Sequence, residues 1–275
     1  MFENKHKHII RIISIMYLVY IAAGISSRFG GTPKMLAKVG KNDERLIDIS
    51  LQQALTRNDI EKIHFLVSEY TYGGILEYLG NTYRGIPISY SFQIIPTYRK
   101  KPLGTADAVA SLYLTIDKEF ILCNSDDLYG EESFTCIPSD NSNWMVGFRL
   151  KNAIPNKGEV NRGIVKIGLH NEIKHIEEQL GIMKCDFGDC DLENTVVSMN
   201  LFKFQPEMLQ FMYERVSQFI TEHAEHKTKE ILLPNFLNEY VNIVDNEILC
   251  KISQSKCLGL TSQEDIADLK RDISN

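Results

Sequence analysis

The sequence predicts an α/β fold built on a doubly wound sheet, and three observations carry that reading. An apolar, β-branched run at residues 15–21 gives way abruptly to Ala22-Ala23-Gly24. Apolar strand-like runs and helical stripes then alternate as far as Gln93. A later apolar run at residues 119–123 ends in the adjacent carboxylates Asp126 and Asp127. Strand–helix–strand alternation implies right-handed parallel crossovers, and in such sheets ligands sit at the carboxyl ends of strands.

The first run reads as a buried strand because it is continuously apolar and too short to cross a bilayer once Arg11 is discounted. Residues 1–15 are expected to be a loosely ordered extension, or to precede the native start at Met16, and residues 16–275 to form one domain. Behind the strand lies Gly24-Ile25-Ser26-Ser27-Arg28-Phe29-Gly30-Gly31-Thr32-Pro33-Lys34. Small residues let backbone N–H groups approach an anion closely, and the serines add hydroxyl donors. Arg28 offers a planar fork and Lys34 a point charge, a pair suited to a triphosphate. The spacing matches neither the P-loop nor the dinucleotide fingerprint.

Residues 36–40 read as a short extended piece closed by a turn. A helical stripe follows at 44–58, a core strand at 63–67 with His64 as a satisfied strand residue, a helix at 72–79 closed by Gly80, and an alternating strand at 86–93. Gln93 could reach a nucleobase edge from the end of that strand. The basic, proline-bounded segment 99–103 then leads into Gly104-Thr105-Ala106-Asp107, where small residues open a further helix. Asp126 and Asp127 supply hard oxygen ligands of the kind Mg²⁺ takes alongside phosphate and water.

Composition narrows the function. With 275 residues the chain can bury a full core, and 44% hydrophobic with 24% charged residues is ordinary for a globular protein. The 36 acidic against 30 basic side chains, net charge −6, argue against nucleic acid as the main partner. Six scattered cysteines without a secretory signal suggest reduced thiols in the cytoplasm, and no membrane partner is expected. Cys185 and Cys190 resemble a metal pair only loosely, since neither a CxxC nor a neighbouring histidine supports them.

Ala22-Ala23-Gly24-Ile25-Ser26-Ser27-Arg28 with Pro33-Lys34, then Gly104-Thr105-Ala106-Asp107-Ala108, then Asn124-Ser125-Asp126-Asp127 resemble, in this order, motifs of the sugar-1-phosphate nucleotidylyltransferases. The likeness continues through Arg162-Gly163-Ile164-Val165-Lys166, residues 173–178 and residues 197–204, and covers about 16–268. It implies a single Rossmann-like (GT-A-like) nucleotidyltransferase domain with a mixed, mostly parallel central sheet flanked by helices. It also implies Mg²⁺, an NTP and a small phosphorylated acceptor, with pyrophosphate released. By the resemblance, Arg28 holds the triphosphate and stabilises departing pyrophosphate, while Lys34 bridges toward the α-phosphate. Ala22, Ala23, Gly24, Ser26, Ser27, Gln93, Gly104 and Thr105 line the nucleotide. Asp126 holds the metal with Asp127 behind it, and Gly163, Glu178 and Asn200 line the acceptor.

Three departures from the family pattern stand out. Glu178-Gln179 replaces the usual Glu-Lys, leaving Lys166 or Lys184 to supply a cation. The C-terminal metal position offers only Thr261, Ser262 and a displaced Asp265. No hexapeptide-repeat domain follows. Two rivals remain at this stage: a transferase that loads a nucleotide onto a pterin cofactor, and a catalytically silent homologue acting as a regulatory or assembly subunit. The nucleobase, the acceptor and the oligomeric state, a homo-oligomer included, stay open.

Overall fold

The computed structural model describes residues 15–24, 29, 32–95, 99, 102–223, 229–243, 246–260 and 262–274. In chain order the elements are β1 (Met16–Ala22), α1 (Leu46–Ala54), β2 (Ile60–Val67), α2 (Tyr72–Leu79), β3 (Thr82–Tyr83), β4 (Ile86–Phe92) and α3 (Thr105–Ala110). Next come β5 (Phe120–Asn124), β6 (Asp127–Leu128), α4 (Glu131–Thr135), β7 (Trp144–Arg149), α5 (Leu150–Ala153), β8 (Val160–Ile167) and β9 (Ile173–Ile182). The chain continues through α6 (Asp189–Asn194), β10 (Val196–Phe204), α7 (Pro206–Glu222), α8 (Leu233–Val241), β11 (Leu249–Ser253), β12 (Leu258–Gly259) and α9 (Asp265–Ser274).

One sheet runs β11-β7-β10-β5-β1-β2-β4-β3, with β8 pairing β10 and β9. β1 lies parallel to both β2 and β5, and β2 is parallel to β4, as the strand–helix–strand rhythm predicts. The sheet becomes mixed at β10, which is antiparallel to β5, β7 and β8. The chain reaches β10 through the β8/β9 ribbon and the short α6, so it enters from the opposite end.

Alternation explains why β1 is apolar throughout. Met16, Leu18, Tyr20 and Ala22 pack into one core, and Tyr17 and Val19 into the other. A strand buried on both faces has no solvent side on which to place polar residues. β5 divides likewise, Ile121 and Cys123 on one side, Phe120 and Leu122 on the other. Helix α7 starts at Pro206, whose missing N–H costs nothing in a first turn, and buries Met208, Leu209, Met212 and Val216 as a stripe.

The structure differs from sequence expectation in two local places. Of the extended piece expected at 36–40, Leu36 instead closes a 3₁₀ turn over residues 34–36, because Pro33 sets the entry and its carbonyl accepts the Leu36 N–H at 2.9 Å. Only Lys38 pairs in β fashion, with Arg45. Helix α1 is shorter than 44–58: the Asp48 carboxylate takes the Arg45 N–H at 2.9 Å and fixes its start. Beyond its end Arg57 turns to the buried Asp59, its Nε 2.8 Å from Oδ1. The helix at 72–79 ends as expected at Gly80, with φ of 64°. Among the described residues no helix is long and apolar enough to cross a membrane.

Candidate active site

The glycine-rich segment and the acidic pair leave the sheet side by side. β1 and β5 run in register from Tyr17 opposite Phe120 to Ile21 opposite Asn124, and the Ser125 N–H then donates to the Ile21 carbonyl at 3.2 Å. Ala22 and Ala23 are buried at that edge, and a Cβ on Gly24 would meet nothing within 4 Å. Ser26, Ser27 and Arg28 lie outside the described residues.

The 3₁₀ turn after Pro33 carries Lys34 across to the acids, and its Nζ stands 3.1 Å from Asp126 Oδ2. The two side chains keep 22% and 34% of their surface exposed, so the pair is open to exchange with a ligand. Asp127 is buried instead: Asn124 Nδ2 donates to its Oδ2 at 2.8 Å. Burial, and then the charge of Asp126, push its carboxyl well above the usual carboxylate range, against the pull of Arg162 and Lys34. Tyr129 braces the turn, its hydroxyl donating to Met199 O at 2.9 Å while accepting the Asn124 N–H at 2.9 Å.

The C-terminal segment closes underneath. β12 pairs with β6, and the Leu260 N–H donates to Asp126 O at 3.0 Å. Asp265 accepts the Ser262 N–H at 2.6 Å at the start of α9, a capping role. Thr261 lies outside the described residues. Among those residues no group of three His, Cys, Asp or Glu is placed to hold a metal, and Cys185 and Cys190 are separate exposed thiols. The residues present fit a hard cation that arrives with phosphate oxygens: one accessible carboxylate at Asp126, with Asp127 packed behind it.

At the carboxyl end of β4, the Gln93 N–H continues the ladder to Val67 O at 2.9 Å. Gly104 lies alongside, and its glycine identity has a packing cause. Its φ is 118°, and a Cβ would stand 2.3 Å from the Ile231 carbonyl oxygen. Thr105 is committed to packing as well: its Oγ1 accepts the Leu233 N–H at 2.9 Å and so caps α8, a different helix from the one it opens.

Gly163, Glu178 and Ser198 meet on three strands. Gly163 is opposite Glu178 on β9 and Ser198 on β10. A Cβ at Gly163 would lie 2.9 Å from Ile176 Cγ2, and 3.6 Å from both Glu178 Oε2 and Ser198 Cβ. Burial raises the Glu178 carboxyl, and Arg162 opposes this. Asn200 occupies the left-handed region with φ of 58°, in a stretch where the β10/β7 register slips between Ser198 and Phe202. Asn tolerates that conformation better than most residues, and here it coincides with the irregularity in the β10/β7 pairing.

Ser198 and Arg162 stood in the sequence only as members of their motifs, and the structure sets them beside Gly163 and Gln179. The signal for both is pairing register, which a single strand does not reveal. Arg162 sits opposite Gln179, with Nε donating to Ala153 O and Nη1 to Asn161 O, each at 2.8 Å. Of the two cations expected near Gln179, Lys184 donates to Asn156 Oδ1 at 2.8 Å, and Lys166 is exposed opposite His175. A cavity of about 310 Å³ between α7 and α8 is lined by Phe219, His223, Ile231 and Phe236 among others, and Ile231 is also the residue whose carbonyl crowds Gly104.

The profile of the family described as "Nucleotidyl transferase" matches residues 29–240. No curated protein matches the chain by sequence. Among solved structures the chain is similar to a Bacillus anthracis protein described as a glucose-1-phosphate thymidylyltransferase, with TM-score 0.67 and 12% identity over 95% of this chain and 96% of that one. It is similar to the inositol-1-phosphate CTP transferase of T. maritima, TM-score 0.63 and 14% identity over 95% and 97% of the two chains. It is also similar to a UDP-glucose pyrophosphorylase complexed with UDP-glucose, TM-score 0.64 and 17% identity over 94% and 98%. At these identities the solved structures speak for the fold, a mixed sheet flanked by helices. The profile spans well over half of the sequence and includes Lys34, the acidic pair and the β8/β9 ribbon, and on that match the chain belongs to the nucleotidyl transferase family.

Proposed function

We propose that this nucleotidyltransferase moves a nucleoside monophosphate from an NTP to a sugar-1-phosphate, with release of pyrophosphate, and that residues 16–275 act as one domain in the cytoplasm. The observation that carries the reading is the Lys34–Asp126 pair, 3.1 Å apart at the strand ends where the small-residue segment emerges. Lys34 would place a point charge where the acceptor phosphate and the α-phosphate of the NTP converge, and Arg28 would hold the leaving pyrophosphate. Asp126 would hold Mg²⁺, which when bound shields phosphate charge, and Asp127 would keep that carboxylate in place from behind. Ala22, Ala23, Gly24, Ser26 and Ser27 would wrap the phosphates, with Gln93, Gly104 and Thr105 on the base side.

The acceptor would lie against Gly163, Glu178 and Asn200, with Ser198 added by its register. A phosphate monoester is already ionised at neutral pH, so its oxygen can attack the α-phosphorus in line without a general base. Positioning and charge stabilisation then carry the rate. The fold neighbours named for glucose-1-phosphate, inositol-1-phosphate and UDP-glucose support an acceptor of the sugar-phosphate class.

The test is ³¹P NMR of the protein with Mg²⁺, each NTP and a panel of sugar-1-phosphates. Appearance of pyrophosphate together with a diphosphate diester is the expected result. Binding of NTP with no turnover across the panel would instead favour the silent-homologue reading.

A further inference from the structure

The β8/β9 ribbon that carries Glu178 has an open outer edge. Among the described strands β9 pairs with β8 alone, so alternate residues of β9 point both their N–H and their C=O away from the sheet. At the start of β9 the Ile173 N–H finds the Ile248 carbonyl at 2.8 Å. Three residues on, a single side chain stands where a strand would be. Asn238 of α8 accepts the Ile176 N–H on Oδ1 and donates from Nδ2 to the Ile176 carbonyl, both at 2.8 Å. A backbone N–H only donates and a carbonyl only accepts, so this amide cannot turn over without losing both bonds. Its orientation does not depend on how O and N were assigned.

The bonded residue is well placed to govern Glu178. Ile176 is 2% exposed, so water cannot replace either bond. The ladder with β8 keeps regular register over residues 175–179 and slips on either side of that stretch. Ile176 and Glu178 both lie within it and, two residues apart, share one face. Seen from Gly163 they are neighbours: a Cβ there would stand 2.9 Å from Ile176 Cγ2 and 3.6 Å from Glu178 Oε2. Fixing the Ile176 backbone therefore fixes how far Glu178 stands from Gly163. The support behind Asn238 is itself firm, because Leu233, Phe236 and Leu237 of α8 are buried and Thr105 Oγ1 accepts the Leu233 N–H at 2.9 Å.

We propose that Asn238 is a positioning residue for the acceptor: in place of a missing strand, it holds β9 where Glu178 can bond the hydroxyls of a sugar phosphate. Asn238 itself touches neither substrate. The inference rests on the nucleotidyltransferase reading and extends it to a side chain of α8 that sets acceptor affinity and leaves nucleotide affinity alone.

The experiment is initial-rate kinetics of pyrophosphate release on the wild type, Asn238→Leu and Asn238→Asp. The acceptor is varied at saturating NTP and Mg²⁺, using the most active member of a sugar-1-phosphate panel that includes glucose-1-phosphate. Calorimetry gives NTP affinity, and circular dichroism checks folding. Asn238→Leu removes both bonds at similar volume, so the acceptor KM should rise about tenfold or more, with kcat and NTP Kd within about threefold of the wild type. Asn238→Asp still accepts the Ile176 N–H but sets a carboxylate oxygen against the Ile176 carbonyl. It should raise the acceptor KM in the same direction, and it serves if the leucine variant folds poorly. Hydrogen exchange on the wild type needs no variant: the Ile176 amide should exchange slowly, as a buried bonded group does. Fast exchange there would overturn the proposal and leave the enzyme reading standing. So would a folded variant with an unaltered acceptor KM, or one whose NTP Kd rises in step with it. Absence of turnover by the wild type across the panel would overturn both.

Discussion

Acidification should destabilise the fold through one residue of β2. His64 is fully buried, with Nδ1 2.8 Å from Ser89 Oγ and Nε2 2.8 Å from Ser91 Oγ. Burial, helped by the charge of Lys62, lowers the ring from 6.5 to about 4. The unfolded chain therefore takes up this proton first as pH falls below 6.5. The stability that His64 contributes is complete above that value and is lost down to about pH 4. At about 1.4 kcal/mol per pH unit, the loss is about 2 kcal/mol at pH 5 and about 3 kcal/mol at pH 4. Urea unfolding of the wild type and His64→Gln at pH 7.5 and pH 5 measures it. Asp107, Asp127 and Glu178, whose carboxyls are raised, favour the folded state in acid, but they are common to both proteins and cancel in the difference. The wild type should lose about 2 kcal/mol more than the variant. Parallel pH profiles would rule out His64 as a source of the acid sensitivity.

Three further outcomes are expected. Asp126→Ala should abolish turnover at limiting Mg²⁺ with the melting temperature nearly kept, because its carboxylate is part-exposed; near-normal activity would remove it from the metal site. Glu178→Ala should raise the acceptor KM far more than the NTP KM, and equal effects on both would make it structural. Gly163→Ala forces a Cβ to 2.9 Å from Ile176 Cγ2 and should cost about 1–3 kcal/mol in thermal unfolding while raising the acceptor KM. An unchanged melting temperature would mean that the ribbon yields.

What was legible in the sequence is what local pattern encodes. β1, α2 and β5 fall where apolar runs and Gly80 place them, since a strand buried on both faces leaves an unbroken apolar signature. Lys34 and Asp126 were each readable from their own motif, but their 3.1 Å approach depends on β1 and β5 being neighbours across about a hundred residues. Cross-strand register is the part that stayed hidden. It brings Ser198 to Gly163 and puts Arg162 opposite Gln179, while the packing of α3 against α8, equally non-local, commits Thr105 to capping α8. His64 was readable as a satisfied strand residue, although its partners Ser89 and Ser91 emerge only once β2 and β4 pair. Asn200 was named from the family resemblance alone, and its left-handed backbone, at the point where the β10/β7 register slips, is a feature no local sequence pattern announces.

Lys34 and Asp126 mark the proposed reacting centre of this nucleotidyltransferase. The most direct test of that role is the turnover number of Lys34→Met beside its NTP affinity by calorimetry, with circular dichroism as the folding control. In the proposed reaction Lys34 would meet the charge that develops at the α-phosphorus, so kcat should fall by about 10²–10³. NTP affinity should change only a few-fold, because the other phosphate contacts remain. A folded Lys34→Met protein that turns over at the wild-type rate would contradict the account.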